Sequence, residues 1–353
     1  MSRLVVIVTA ILGGAYAYLA ARLAAGAGTA AALAVPFFLI WIVPVYYWGS
    51  DRDRYGWPHM AVHQASYLSM AWLSFVLVLS LARDALLVAG LDIGVTAVLA
   101  GSVIAVAIGA IVALRGPSIE RIDVPIAGLH PDLEGYRIVQ ISDLHVGLTI
   151  RRGYVERVVE EALELEPDLV ALTGDMVDGP VARLAPHVAS LARLPNAFFI
   201  LGNHDCYSGA TAWIEHFKSL GARVLLNEHA VIGKGAAKLL IGGVVDPAYQ
   251  KLRPEVAAVA AEPADVRVFL AHNPKFARLG ASAGFDLQLS GHTHAGQFFP
   301  WTLAVRLVHS PHVAGLTREG NMWVYVSAGT GTWGPPVRFG TSPEITLLRL
   351  VRA

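Results

Sequence analysis

Four short clusters carry most of the chemistry-bearing side chains in the C-terminal half: Asp143-Leu-His145, Gly-Asp175-Met-Val-Asp178, Gly-Asn203-His204-Asp205 and Gly-His292-Thr-His294. A further histidine, His272, stands in Ala-His-Asn-Pro. These are oxygen and imidazole ligands, the set that suits Mn, Fe or Zn. Asp143 and His145 flank Leu144, so a short loop can turn both toward one ion, while His292 and His294 straddle Thr293, which lets the two side chains approach different ions. Asp175 offers two carboxylate oxygens, enough to bridge two cations, and Asn203 adds a neutral carbonyl oxygen. Asp143, His145, Asp175, Asn203, His272, His292 and His294 exceed the four ligands of a structural zinc. Two adjacent divalent ions would use them all, and such pairs serve hydrolysis at phosphorus.

Each cluster needs an element to position it, and each follows an apolar run. The runs are Tyr136-Arg-Ile-Val-Gln-Ile-Ser, Leu169-Val-Ala-Leu-Thr, Ala197-Phe-Phe-Ile-Leu and Asp286-Leu-Gln-Leu-Ser. All four read as short buried strands. Ligands just past strand ends converge on one sheet edge, where open α/β folds place their sites. Between the strands, residues 154–165 put Val155, Val158, Val159, Ala162 and Leu163 on one helical face before Pro167. Residues 181–194 and 211–220 are further helix candidates. Later strands are expected at 223–226, 239–245, 266–271, 322–326 and 345–350, and 256–264 reads as a loop or short helix. The alternation indicates an α/β domain from about residue 122 to 353.

The first 115 residues differ in kind. Hydrophobic residues make up 55% of the 353-residue chain and charged ones 15%, well under the roughly 25% charged of an ordinary globular protein. The excess lies in four nearly uncharged stretches, residues 4–20, 30–48, 66–82 and 93–114, each near the roughly 20 residues that cross hydrocarbon. A bundle of about four transmembrane helices is therefore expected, with 85–90 able to extend the third. His59 and His63 share a helical face but lack a third ligand. With the N-terminus inside, Arg3, Arg52, Arg54, Arg115 and Arg121 are cytoplasmic against Arg22 and Arg83 outside, which orients the α/β domain to the cytoplasm. The formal net charge is zero, so nothing calls for a nucleic-acid partner. One cysteine, Cys206, rules out an internal disulfide.

In order, Asp-x-His, Gly-Asp-x-x-Asp, Gly-Asn-His-Asp, a separate His and Gly-His-Thr-His resemble the signature of calcineurin-like metallophosphoesterases, over roughly residues 122–350. With Ala295-Gly-Gln297 and the apolar spans, the chain looks like the bacterial and animal transmembrane branch. The resemblance implies a two-sheet α/β sandwich flanked by helices in a bacterial cell membrane. It implies one metal on Asp143, His145, Asp175 and His294, and a second on Asp175, Asn203, His272 and His292. His204 would then sit near the phosphate. Asp205 stands where phosphoprotein phosphatases of the wider family carry Glu, which argues against a phosphoprotein substrate.

Two divalent cations would acidify a shared water and neutralise phosphate oxygens. His204 suits the leaving group, because imidazole titrates near working pH. Asp205 either holds the other nitrogen of His204 or is a salt-bridged surface residue. Asp178 is expected to hydrogen-bond near Asp175. Arg338 either reaches a substrate phosphate or is structural; His309 and His312 are open to the same two readings. Phe298-Phe-Pro-Trp301 either dips into lipid beside the site or packs beneath it. The expected activity is hydrolysis of a phosphodiester or pyrophosphate, with a lipid-linked substrate similar to UDP-diacylglucosamine first and a soluble nucleotide as the alternative. A non-catalytic, metal-stabilised membrane sensor is the competing class. The sequence sets no oligomeric state.

Overall fold

A computed structural model describes residues 3–42, 56–250, 253 and 263–353. The chain divides into two units, residues 1–111 with 334–339, and residues 112–333 with 340–353.

The first unit is helical. Helices α1 (Arg3–Leu23), α2 (Ala27–Ile42), α3 (Trp57–Val88) and α4 (Gly94–Leu114) carry most of its residues. Among the described residues, three stretches are long and apolar enough to cross a membrane: Val5–Leu23, Trp57–Val88 and Gly94–Leu114. Of the about four spans expected, three are found at full length among the described residues. The second expected span is described only as the 16 residues of α2, with Pro36 inside it, and its residues 43–48 lie outside the described residues. The third runs on through Arg83 and Asp84 as one helix of 32 residues. Their charges are answered near the helix end, Asp84 by Arg22 at 3.0 Å and by the Tyr18 hydroxyl at 2.8 Å, and Arg83 by Asp92 at 3.4 Å.

The second unit is a sandwich of two six-stranded sheets. One sheet runs β1 (Ser118–Ile126), β12 (Glu344–Arg352), β2 (Arg137–Ile141), β3 (Leu169–Leu172), β4 (Ala197–Phe199), β5 (Arg223–Val224). The other runs β10 (Gly315–Glu319), β11 (Met322–Val326), β9 (Leu287–Ser290), β8 (Val266–Leu270), β7 (Ala237–Gly243), β6 (Glu228–Lys234). The two-residue period of a strand sorts the core. Ile138, Leu169, Ala171 and Phe198 face Leu239, Ile241, Val268 and Leu289 between the sheets. Their neighbours Val139, Ile141, Val170, Leu172 and Phe199 meet helices α5 (Arg152–Glu164), α6 (Val181–Val188) and α7 (Ala210–Ser219) on the outer face. Strands buried on both faces are continuous apolar runs, which is why the four runs before the ligand clusters were legible.

Strands β2 to β5 are mutually parallel, as are β7, β8, β9 and β11. The C-terminal ends of β2, β3 and β4 in one sheet, and of β8 and β9 in the other, therefore point to one edge. Beneath that edge the buried Gln140 amide donates to the Thr173 hydroxyl at 2.8 Å and to the Ser290 carbonyl at 2.9 Å, tying the two sheets together. Strands β1, β6 and β10 and a helix at Trp301–His309 were not among the sequence expectations. The expected helix 181–194 is α6 followed by a 3-10 turn at Ala189–Arg193, and 254–262, most of the Ala-rich stretch, lies outside the described residues.

Candidate metal centre

The backbone at the strand ends is unusual where the ligands lie. Asp143, His145, Asp175, His292 and His294 all have positive φ, between 49° and 71°. A non-glycine residue in that region costs about 1–3 kcal/mol, and such residues cluster at functional sites. The local result is direction: Asp143 and His145 turn into one group of ligands, while His292 and His294 part between two neighbouring groups. Hydrogen bonds hold the loops in register. Asp143 N–H donates to the Gly174 carbonyl, His145 N–H to that of Asp175, and Gly291 N–H to that of His272. Glycines make room: a Cβ on Gly202 would collide with the Asp175 carboxylate, and one on Gly291 with that of Asp143.

The seven sequence-derived candidates form two groups. Asp143, His145 and His294 converge, as do Asp175, His272 and His292, each set able to hold a metal ion. Asn203 joins the second group, its Oδ1 3.1 Å from His292 Nδ1. Asp175 stands between the groups. Its Oδ1 accepts the His204 N–H at 2.7 Å, while Oδ2 lies 3.1 Å from His272 Nε2 and 3.9 Å from His145 Nε2.

The donors fit cations. A carboxylate or carbonyl only accepts, so His145 Nδ1, 3.1 Å from Asp178, and His272 Nδ1, 2.9 Å from the Thr173 carbonyl, each carry the proton. In the neutral rings, Nε2 is then a bare lone pair. His272 Nε2, buried, has no hydrogen-bond partner and faces the Asp175 carboxylate. His145 Nε2 faces His294 Nε2 at 3.0 Å. That contact is satisfied either by a proton on His294 Nε2 or by a cation held between the two rings. Fixing the tautomer through the second nitrogen is the usual arrangement of a metal-bound histidine.

Electrostatics agree. Burial would lower His145, but the Asp178 carboxylate raises it to about 9. Burial likewise opposes His272, which Asp175 raises to about 10. Without cations, protons take the positive role at both rings. Burial and the neighbouring charge on His272 push His292 down to about 3, so it stays neutral.

His204 lies beside this row, its ring 4.7 Å from that of His145, and with His145 and Asp175 it forms a third group able to hold an ion. Its Nδ1 is 2.7 Å from Asp178 Oδ1. The expectation that Asp205 might hold His204 is corrected: Asp178 does so, and the same carboxylate also orients His145. Asp205 is fully buried, and its two oxygens accept four backbone N–H groups, from Asp175, Met176, Val177 and Gly202, at 2.8–3.2 Å. It shapes the Asp175 loop from below, and burial raises its pKa to about 7. The surface salt-bridge reading of Asp205 falls with the same observation.

With the geometry in place, similarity to other proteins can be read. Residues 136–296 match the calcineurin-like phosphoesterase family. Phosphodiesterase YaeI of Escherichia coli is 31% identical over 232 residues, covering 61% of this chain and 82% of that protein. The chain belongs to the calcineurin-like metallophosphoesterases. An uncharacterized metallophosphoesterase of Aquifex aeolicus is 32% identical over 224 residues, covering 61% and 84%. A transmembrane protein with metallophosphoesterase domain from Danio rerio is 33% identical over 262 residues, covering 69% of this metallophosphoesterase and 60% of the fish protein. The match thus spans less than two thirds of that transmembrane relative.

Other sequence candidates sit apart from the ligands or beside them. Arg338 is fully buried, lies in the helical unit and gives its backbone N–H to the Gly109 carbonyl at 2.9 Å. His312 is tied to Thr317 and Glu319 of the adjacent strand β10. His309 packs its ring 5.5 Å from that of His292. Phe298 is buried, so the apolar surface expected from Phe298 to Trp301 is displaced onto the Trp301–His309 helix, where no residue is buried and Leu303, Leu307 and Val308 are exposed, Leu307 to 91%. The Thr173 carbonyl was not singled out beforehand, and Gln297 only as part of the Ala295-Gly-Gln297 resemblance. A backbone acceptor has no sequence signature, and Gln297 acts through a contact with residue 333.

Proposed function

We propose that this chain is a membrane-anchored binuclear phosphoesterase that hydrolyses a phosphodiester or pyrophosphate, with a lipid-linked phosphate as substrate. The observation that carries the binuclear reading is Asp175 Oδ2, one oxygen facing ligand nitrogens of both groups. Asp143, His145, Asp175 and His294 would hold one ion, and Asp175, Asn203, His272 and His292 the other. Such a pair, when bound, supplies an activated water and charge neutralisation at the phosphate. The protein's own groups do the rest. Asp178 holds His204 by Nδ1, which leaves Nε2–H of the protonated ring as the proton for the departing oxygen. Hydrolysis places the water oxygen on phosphorus, breaks the bond to the leaving oxygen and leaves a proton on each product.

The lipid-linked reading is supported by two features. Three helices have the length and composition of membrane spans. The helix Trp301–His309 exposes Leu303, Leu307 and Val308, with Arg306 also exposed, while His309 at its end packs on His292. An amphipathic helix of that kind suits a lipid interface. The reading is tested with the full chain in vesicles, comparing a headgroup phosphodiester in the bilayer with soluble bis(p-nitrophenyl) phosphate. Leu303→Ser with Leu307→Ser should lower turnover of the bilayer substrate and spare the soluble one. Equal turnover of both substrates before and after the change would favour a soluble diester and leave the helices as an anchor.

A further inference from the structure

The opening beside His204 is framed by two exposed aromatic rings that the ligand chemistry does not use. Trp333 is 48% exposed and its ring lies 6.3 Å from that of His204, at 79°. Tyr207 is 59% exposed, with its ring 5.7 Å away. The position of Trp333 is held by one side chain. Gln297 Oε1 accepts the Trp333 N–H at 2.8 Å and Gln297 Nε2 donates to the Trp333 carbonyl at 2.9 Å, pairing both main-chain groups as a neighbouring strand would. Gln297 is itself buried, has φ 59°, donates its N–H to the His294 carbonyl at 2.8 Å and accepts the Thr341 hydroxyl at its own carbonyl. The same turn that presents His294 therefore fixes where Trp333 stands.

We propose that Trp333 is the platform for the leaving group, that Gln297 is its positioning residue, and that the leaving group carries a ring, whether aryl, nucleobase or sugar. This rests on His204 serving the leaving oxygen. With Nδ1 taken by Asp178, only Nε2 of His204 can reach that oxygen, so whatever is bonded to the oxygen leaves past the Trp333 and Tyr207 rings. An indole half in solvent and held at its backbone is a stacking surface of low entropic cost. A ring gains by covering it, whereas an alkyl chain of equal size gains less.

The test uses the metal-loaded full chain and three probes: inorganic phosphate, phenylphosphonate and n-butylphosphonate, with binding read by calorimetry. Phenylphosphonate should bind more tightly than butylphosphonate, and Trp333→Ala should weaken it by about tenfold while inorganic phosphate is unaffected. Trp333→Phe should keep most of the preference. Gln297→Ala should reproduce the Trp333→Ala loss with unchanged metal content, raising KM for bis(p-nitrophenyl) phosphate far more than it lowers kcat. An equal affinity for the two phosphonates, or a parallel loss for all three probes, would overturn the platform. Failure of the parent to bind phosphate or hydrolyse the diester would instead strike at the hydrolase reading, so the two failures are separable.

Discussion

The two halves of the ligand cluster are built alike but supported differently. Both present a histidine whose Nδ1 is fixed from behind and whose Nε2 points at Asp175. Behind His145 stands a full carboxylate, Asp178; behind His272 stands only the Thr173 carbonyl. A carboxylate partner makes the imidazole a stronger donor, and here it also reaches a third ring, His204. On the other side, His292 is flanked by His309, whose Nδ1 is buried with no hydrogen-bond partner among the described residues. On the proposed function the asymmetry gives direction: the side with Asp178 would both hold an ion and deliver a proton through His204, and the side with Thr173 would hold an ion. A nearly symmetric ligand list thus becomes a site with a leaving-group end.

The comparison predicts graded losses. The largest follows from Asp175→Asn, which weakens the charge common to both halves: both ions should be lost together and hydrolysis abolished, as read by elemental analysis beside an assay on bis(p-nitrophenyl) phosphate. Loss of one ion alone would show that the halves are independent. Next, His204→Ala should lower turnover by about 10²–10⁴ with metal content kept, and the loss should shrink for nitrophenolate-like leaving groups. Metal loss in parallel would move His204 among the ligands, a possibility raised by its place beside His145 and Asp175. Asp178→Asn should cost roughly 10–100-fold in metal affinity or activity, confined to the Asp143 side. A uniform loss on both sides would erase the asymmetry.

A smaller effect concerns pH. In the metal-free protein His145 and His272 hold protons up to about pH 9 and 10. A cation must displace them, so metal binding at pH 7–8 should release protons, and affinity should rise with pH through that range. The sign for the stripped protein is the reverse: folded pKa values above the unfolded one near 6.5 give stability that is full below about pH 6.5 and lost as pH rises through about 9. Calorimetry in buffers of different ionisation enthalpy measures the first, and thermal unfolding of chelated protein against pH the second.

How much of this was legible beforehand depends on what each residue bonds to. The seven ligand candidates were readable because side-chain chemistry and strand-end placement coincide in the sequence, and the runs before them were buried on both faces. The role of Asp205 was not, because its four partners are backbone N–H groups, three of them 28, 29 and 30 residues away. Asp178 was placed behind the ligands, but its sharing between His145 and His204 depends on a loop geometry set by positive φ at Asp175. Strands β1 and β6 were missed because their exposed and half-buried positions break the apolar run, as the Glu120–Arg121 and Gly233–Lys234 steps show. The Trp301–His309 helix was missed because its apolar residues face outward, which reverses the pattern by which a helix is ordinarily detected.

The central claim is that one carboxylate oxygen of Asp175 serves two ions. The most direct test is the metal content of full-length protein purified without chelator and titrated with Mn. The account predicts saturation at two equivalents per chain. Saturation at one equivalent, unmoved by added Mn, would contradict it.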